Sequence, residues 1–226
     1  MASDQSSTML ARIAHELKAH APFTLGGTVV GIAILVAMVH GKTSPALSER
    51  LFAVFHPVHI LLSAVVTAAM YRHYGKGGWW ACMVVGYVGA IAVGTVSDSL
   101  IPFLGELLLQ AGDQHVHPHA HIGFIELWWI VNPLALAGAG IGYLWPKTKF
   151  PHAGHVLLST AASLFHMTAA MTHGIGVWTI VGASIFLFLA VWVPCCTSDI
   201  VFPLLLVPSH HRGGCEHPHA HDPGDA

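Results

Sequence analysis

LFAVFHPVHILLSAVVTAAMY, residues 51–71, decides the fold class. It runs for 21 residues without Lys, Arg, Asp or Glu, and about 20 apolar residues are what an α-helix needs to cross the hydrocarbon core of a bilayer. Working outward, comparable runs occupy 23–41, 79–97, 122–145, 153–171 and 175–193. Over all 226 residues 54% are hydrophobic and 9% charged, against about 25% charged in a soluble domain. These features predict an all-α polytopic integral membrane bundle of about six transmembrane helices. Residues 1–22 read as a polar N-terminal segment with a short amphipathic interfacial helix, 23–207 as the transmembrane domain, and 208–226 as a disordered His-rich tail.

The first apolar run lacks a small-residue cleavage site and is long enough to span, so it reads as a retained first helix. With the N-terminus cytoplasmic, the inner segments hold Arg12, Lys18, Arg72, Lys76, Lys147, Lys149 and Arg212, and the outer loops hold Lys42 and Arg50. This distribution satisfies the positive-inside rule and sets both termini in the cytoplasm, and a bacterial cytoplasmic (inner) membrane is the expected location. The partners expected are the lipid bilayer and a metal ion. The near-neutral chain offers no basic patch for nucleic acid. Cys82, Cys195, Cys196 and Cys215 make no spaced disulfide framework and are expected to be reduced. Gly27 and Gly31, and Gly138 and Gly142, have small-xxx-small spacing for close helix packing, and such Gly-rich faces are candidate homo-oligomer contacts.

Polar groups inside the apolar runs point to function. His56 and His59 share one helical face on either side of Pro57. Asp98, between Ser97 and Ser99 and ahead of Pro102, is expected to mark a helix break, with 103–110 a continuing or re-entrant half-helix that carries Glu106. Span four carries Glu126 and a kink at Pro133, span five carries His166, and span six is expected to end at Pro194. No Lys or Arg lies within these spans to neutralise Asp98, Glu106, Glu126 or Asp199. Intramembrane carboxylates face the bundle interior and mark ion or proton paths.

At 1.5 Å per residue, His59 lies about 12 Å below the outer surface, Glu126 about 8 Å and His166 about 9 Å, with Asp98 near the same edge. Mixed imidazole and carboxylate ligands suit Zn²⁺, Ni²⁺, Co²⁺, Mn²⁺ or Fe²⁺. The reading is therefore a protein that binds and transports a divalent, zinc-like transition metal at His59, Asp98, Glu126 and His166, with His56 beside them. His115, His117, His119 and His121 form an outer collecting loop. Its HPHAH sequence recurs at His217, His219 and His221 in the tail. Cys195, Cys196 and Asp199 form an inner exit.

Two alternatives use the same histidines. His59 and His73 are fourteen residues apart, as are His152 and His166, which resembles the bis-histidine spacing of two-haem b-type cytochromes and implies haem b between His59 and His166 and between His73 and His152. The pairs His15/His20, His56/His59, His152/His155 and His210/His211 loosely resemble the spaced histidines of integral-membrane di-iron enzymes. HELKAH departs from the zinc-protease H-E-x-x-H, because its second histidine falls one residue late. A transporter or metal-binding protein is favoured over an enzyme.

Overall fold

A computed structural model describes the backbone of residues 2–75, 78–109, 120–146, 149–170 and 176–196, together with Phe202 and Leu206. All regular structure among the described residues is helical. The elements are α1 (Ala2–His40), α2 (Pro45–Gly75), α3 (Trp79–Thr95), a π turn (Val96–Leu100), α4 (Ile101–Leu109), α5 (Gly123–Glu126), α6 (Trp128–Leu144), α7 (Lys149–Ala170) and α8 (Val177–Cys196).

Three stretches are long and apolar enough to cross a membrane: Pro45–His73, Trp79–Leu108 and Val177–Cys195. They mark an integral membrane protein. Thr24–His40 and Trp128–Leu144 are shorter apolar helices. The 22-residue α7 turns Ser159, Thr160, Ser163 and Thr168 inward among its apolar residues, which lowers its hydropathy without exposing it.

The outer surface fits lipid contact. On α8, Val177, Val181, Ile185, Leu189 and Val193 recur every four residues and are all exposed, which is an apolar stripe on the outer face of the helix. Trp79 and Trp80 open α3, Trp128 and Trp129 open α6, and Trp178 lies at the start of α8, where amphipathic rings sit at headgroup level.

Helix α2 is central and packs on α3, α6 and α7, while α1, α4 and α8 gather around α7. One core joins Ile60, Ala64 and Ala68 of α2 to Ala90 of α3 and Val131, Ala135 and Ala139 of α6. A second joins Leu35, Phe52, Leu164, Phe165 and Leu187 across α1, α2, α7 and α8. Gly138 and Gly142 lie against the Leu61 and Val65 carbonyl oxygens of α2, so a Cβ at either position would strike backbone. These two glycines set how closely α6 approaches α2. At one end of the bundle the Arg72 guanidinium lies 3.8 Å over the Tyr143 ring, joining the last turns of α2 and α6.

The structure corrects four sequence expectations. The N-terminal polar segment and the first apolar run form one 39-residue helix that passes through Pro22. Span four is interrupted at Leu127, which separates the single turn α5 from α6. Helix α8 continues through Pro194 to Cys196, because proline is tolerated in membrane helices where neighbours re-satisfy the freed backbone. Lastly, the helix does not break at Asp98. It widens there into the π turn, where Ile101 N–H donates to the Val96 carbonyl. Pro102 has no N–H to give to this turn, and the Ser97 carbonyl instead accepts from Ser163 Oγ of α7 at 2.9 Å. Side-chain satisfaction of this kind lets a wide turn persist within a helix.

Candidate metal centre

The π turn lodges Ser97, Asp98 and Ser99, all fully buried, between α2 and α7. Pro57 lies within α2, and the histidines on either side of it, His56 and His59, both aim Nδ1 at Asp98 Oδ2, at 2.8 and 2.6 Å. Oδ1 of the same carboxylate accepts from Ser97 Oγ at 2.7 Å and Ser159 Oγ at 3.0 Å. An ionised carboxylate has about four lone-pair sites, and here each has a donor. The two imidazoles donate through Nδ1–H, so in their neutral forms Nε2 carries the lone pair.

Each ring is held on its other side. His56 stacks on Phe52 with ring centroids 5.0 Å apart, and Gly123 of α5 lies against His56 Nε2 where any Cβ would collide. His59 stacks nearly parallel on His155 of α7 at 5.8 Å. His59 Nε2 is buried with no hydrogen-bond partner among the described residues. Burying such a nitrogen without a bond is costly unless another group uses it.

Among the described residues, two fully buried groups of side chains could hold a metal ion. One is His56, His59 and Asp98, and the other is His59, His155 and Cys195; in each, the ligand atoms lie within 4.8 Å of one another. Cys195 is buried, brought to the site because α8 does not stop at Pro194.

The expected layer is thus divided. His56, His59 and Asp98 come together, whereas Glu126 lies 48% exposed with its Oε2 2.9 Å from His121 Nδ1. His166 sits on another patch of the interior, with Nε2 3.5 Å from Glu106 Oε1 and its ring against Phe52 and His121. Of the outer collecting loop, His121 is described, while His115, His117 and His119 lie outside the described residues, as do Asp199, His217, His219 and His221. The side chain of Cys196 also lies outside them. Of the fourteen-residue pairs, His59 and His166 belong to different contact groups, His73 is exposed, and the His152 side chain is not among those described.

Sequence reasoning missed His155 as a member of the site. A signal was present, since His155, Ser159, Ser163 and His166 recur at helical spacing and form a polar stripe on one face of an otherwise apolar helix. No protein-family model matches the chain, and neither a search of curated proteins nor one of solved structures finds a similar protein.

Proposed function

We propose that the chain is a six-span protein of a bacterial cytoplasmic membrane, with both termini inside, that binds and translocates a divalent transition metal. The observation that carries this reading is the convergence of His56 and His59 on Asp98 in a fully buried layer. An intramembrane carboxylate demands a positive partner. No Lys or Arg lies within the apolar runs 51–71, 79–97, 122–145, 153–171 and 175–193, and imidazole with carboxylate is a ligand set for borderline metals.

Translocation, beyond binding, draws support from the order of polar groups along the bundle. Glu126 and His121 lie at the exposed end, followed by His166 and Glu106, then Phe52 and His56, then Asp98 and His59, and finally His155 and Cys195. On α7, His166 and His155 are eleven residues apart, about 16 Å along the axis. The histidine-rich loop between α4 and α5 would concentrate metal at the mouth. The count of six spans adds α1, α6 and α7 to the stretches Pro45–His73, Trp79–Leu108 and Val177–Cys195, since about 17 to 25 residues suffice for a crossing.

The test is metal flux into proteoliposomes that enclose a metal-sensitive dye. The parent chain is expected to accelerate entry of Zn²⁺ or Co²⁺, and H56A, H59A and D98A to abolish it. Equal flux through all four proteins, or none through the parent, would remove the reading.

A further inference from the structure

We propose that His59 Nε2, His155 and Cys195 Sγ form a three-ligand site for a four-coordinate borderline ion of the Zn²⁺/Co²⁺ class, with Asp98 fixing His59 from behind instead of ligating the ion. The proposal rests on the metal-binding reading above and specifies where the ion sits. Three observations carry it.

First, Asp98 is already saturated. Both its oxygens accept two hydrogen bonds each, from His56, His59, Ser97 and Ser159. A metal on Oδ2 would have to displace the imidazole donors, whereas a metal on His59 Nε2 displaces nothing that the described residues supply. A carboxylate on Nδ1–H with the metal on the opposite nitrogen is the usual support of a ligating histidine: it fixes the tautomer and makes the ring more basic.

Second, the ligand atoms of His59, His155 and Cys195 are within 4.8 Å of one another and all three residues are buried. Bonds of about 2.0–2.1 Å to nitrogen and 2.3 Å to sulfur in a tetrahedral site put these atoms roughly 3.3–3.6 Å apart. A contraction of at most about 1.5 Å closes the site.

Third, the charges cancel. A divalent ion, the Cys195 thiolate, the Asp98 carboxylate and two neutral imidazoles sum to zero. The same ion bound by His56, His59 and Asp98 alone would leave one positive charge in a fully buried layer, where uncompensated charge is most costly. Binding replaces the S–H bond by a metal–sulfur bond and releases one proton from Sγ. One coordination position stays open, as a site that must pass its ion onward requires.

The experiment is Co²⁺ titration of the metal-stripped full-length protein in detergent, read by absorption. The expected spectrum has a near-ultraviolet thiolate-to-cobalt charge-transfer band and the strong visible bands of four-coordinate Co²⁺. C195S should abolish the thiolate band, and C82S and C215S should retain it. D98N should retain the band but weaken Co²⁺ affinity by about 10- to 100-fold, as loss of a supporting carboxylate does. X-ray absorption of the unsubstituted protein carrying one equivalent of Zn²⁺ should show one sulfur neighbour at about 2.3 Å, which needs no variant to fold. Bound Co²⁺ without a thiolate band, or a band lost in C196S and kept in C195S, overturns this site and leaves the metal-binding reading standing. Failure to bind any Co²⁺ or Zn²⁺ overturns both.

Discussion

Replacing Asp98 by alanine deprives four buried donors of their acceptor at once: His56 Nδ1, His59 Nδ1, Ser97 Oγ and Ser159 Oγ. At the ~0.6 kcal/mol average measured for side-chain hydrogen bonds between membrane helices, the three that come from α2 and α7 sum to about 1.8 kcal/mol. The serine hydroxyls can turn to carbonyls one helical turn back. The imidazoles cannot follow, because Phe52 and His155 hold their planes. Each orphaned buried donor costs about 1–3 kcal/mol, so the two rings raise the upper figure to about 6 kcal/mol. D98A is therefore expected to lower the unfolding free energy by about 2–6 kcal/mol. D98N keeps one acceptor oxygen, and a ring that moves its proton to Nε2 can accept from the new amide, so its cost should stay below about 2 kcal/mol. Reversible unfolding of the metal-free protein in mixed detergent micelles, followed by circular dichroism, measures both. If D98A falls within about 0.5 kcal/mol of the parent, the range of an uninvolved surface substitution, the carboxylate does not hold α2, the π turn and α7 together. Equal losses in D98A and D98N would refute the four-donor account in a different way, by making charge alone the cause.

Other expectations are narrower. G138A and G142A should each cost about 1–3 kcal/mol in the same unfolding assay, because a Cβ there meets a carbonyl of α2 and forces the helices apart. G26A, with nothing within 4 Å of its would-be Cβ, should be neutral or gain about 0.5–1 kcal/mol from helix propensity. Glu126 and His121 are partly exposed, so E126Q should change stability by less than about 1 kcal/mol and leave Co²⁺ affinity of the buried site unaltered in the absorption titration. Reporter fusions after Lys42, Lys76, Gly112, Lys147 and Gly174 should alternate outside, inside, outside, inside, outside; two adjacent loops on one side would remove the six-span topology.

The membrane character was legible because it depends on composition and run length, which survive any error in helix boundaries. His56, His59 and Asp98 were legible as a set for a similar reason: two are three residues apart on one helix, and the third is the carboxylate of the polar SDS sequence in an apolar run. The partners assigned by depth were less so. Depth fixes a position along the bundle axis, whereas a ligand must also be turned to the right side, and rotation depends on irregularities the sequence does not announce. The interruption at Leu127 leaves Glu126 exposed on His121. The SDSLIP stretch reads as a breaker because Pro102 lacks a donor, yet Ser163, sixty-six residues away, supplies the bond that lets the helix continue. Pro194 misled in the same direction, and with α8 stopped there Cys195 had no route to His155.

The π turn has a further consequence. A helix that carries one wide turn holds one residue more than its length requires, so everything after that turn is rotated by about 100° from where a uniform helix would put it. Deleting one residue of Val96–Leu100 would remove the surplus and let the turn close with Gly86 still against Ala68 and Ala139 and Glu106 still facing His166, whereas closing the turn without a deletion would swing Glu106 away. The turn therefore acts as a phase setting between two halves of one rod: α3 is indexed to the glycine seams, α4 to the polar interior, and Asp98 lies at the joint where the two indices meet.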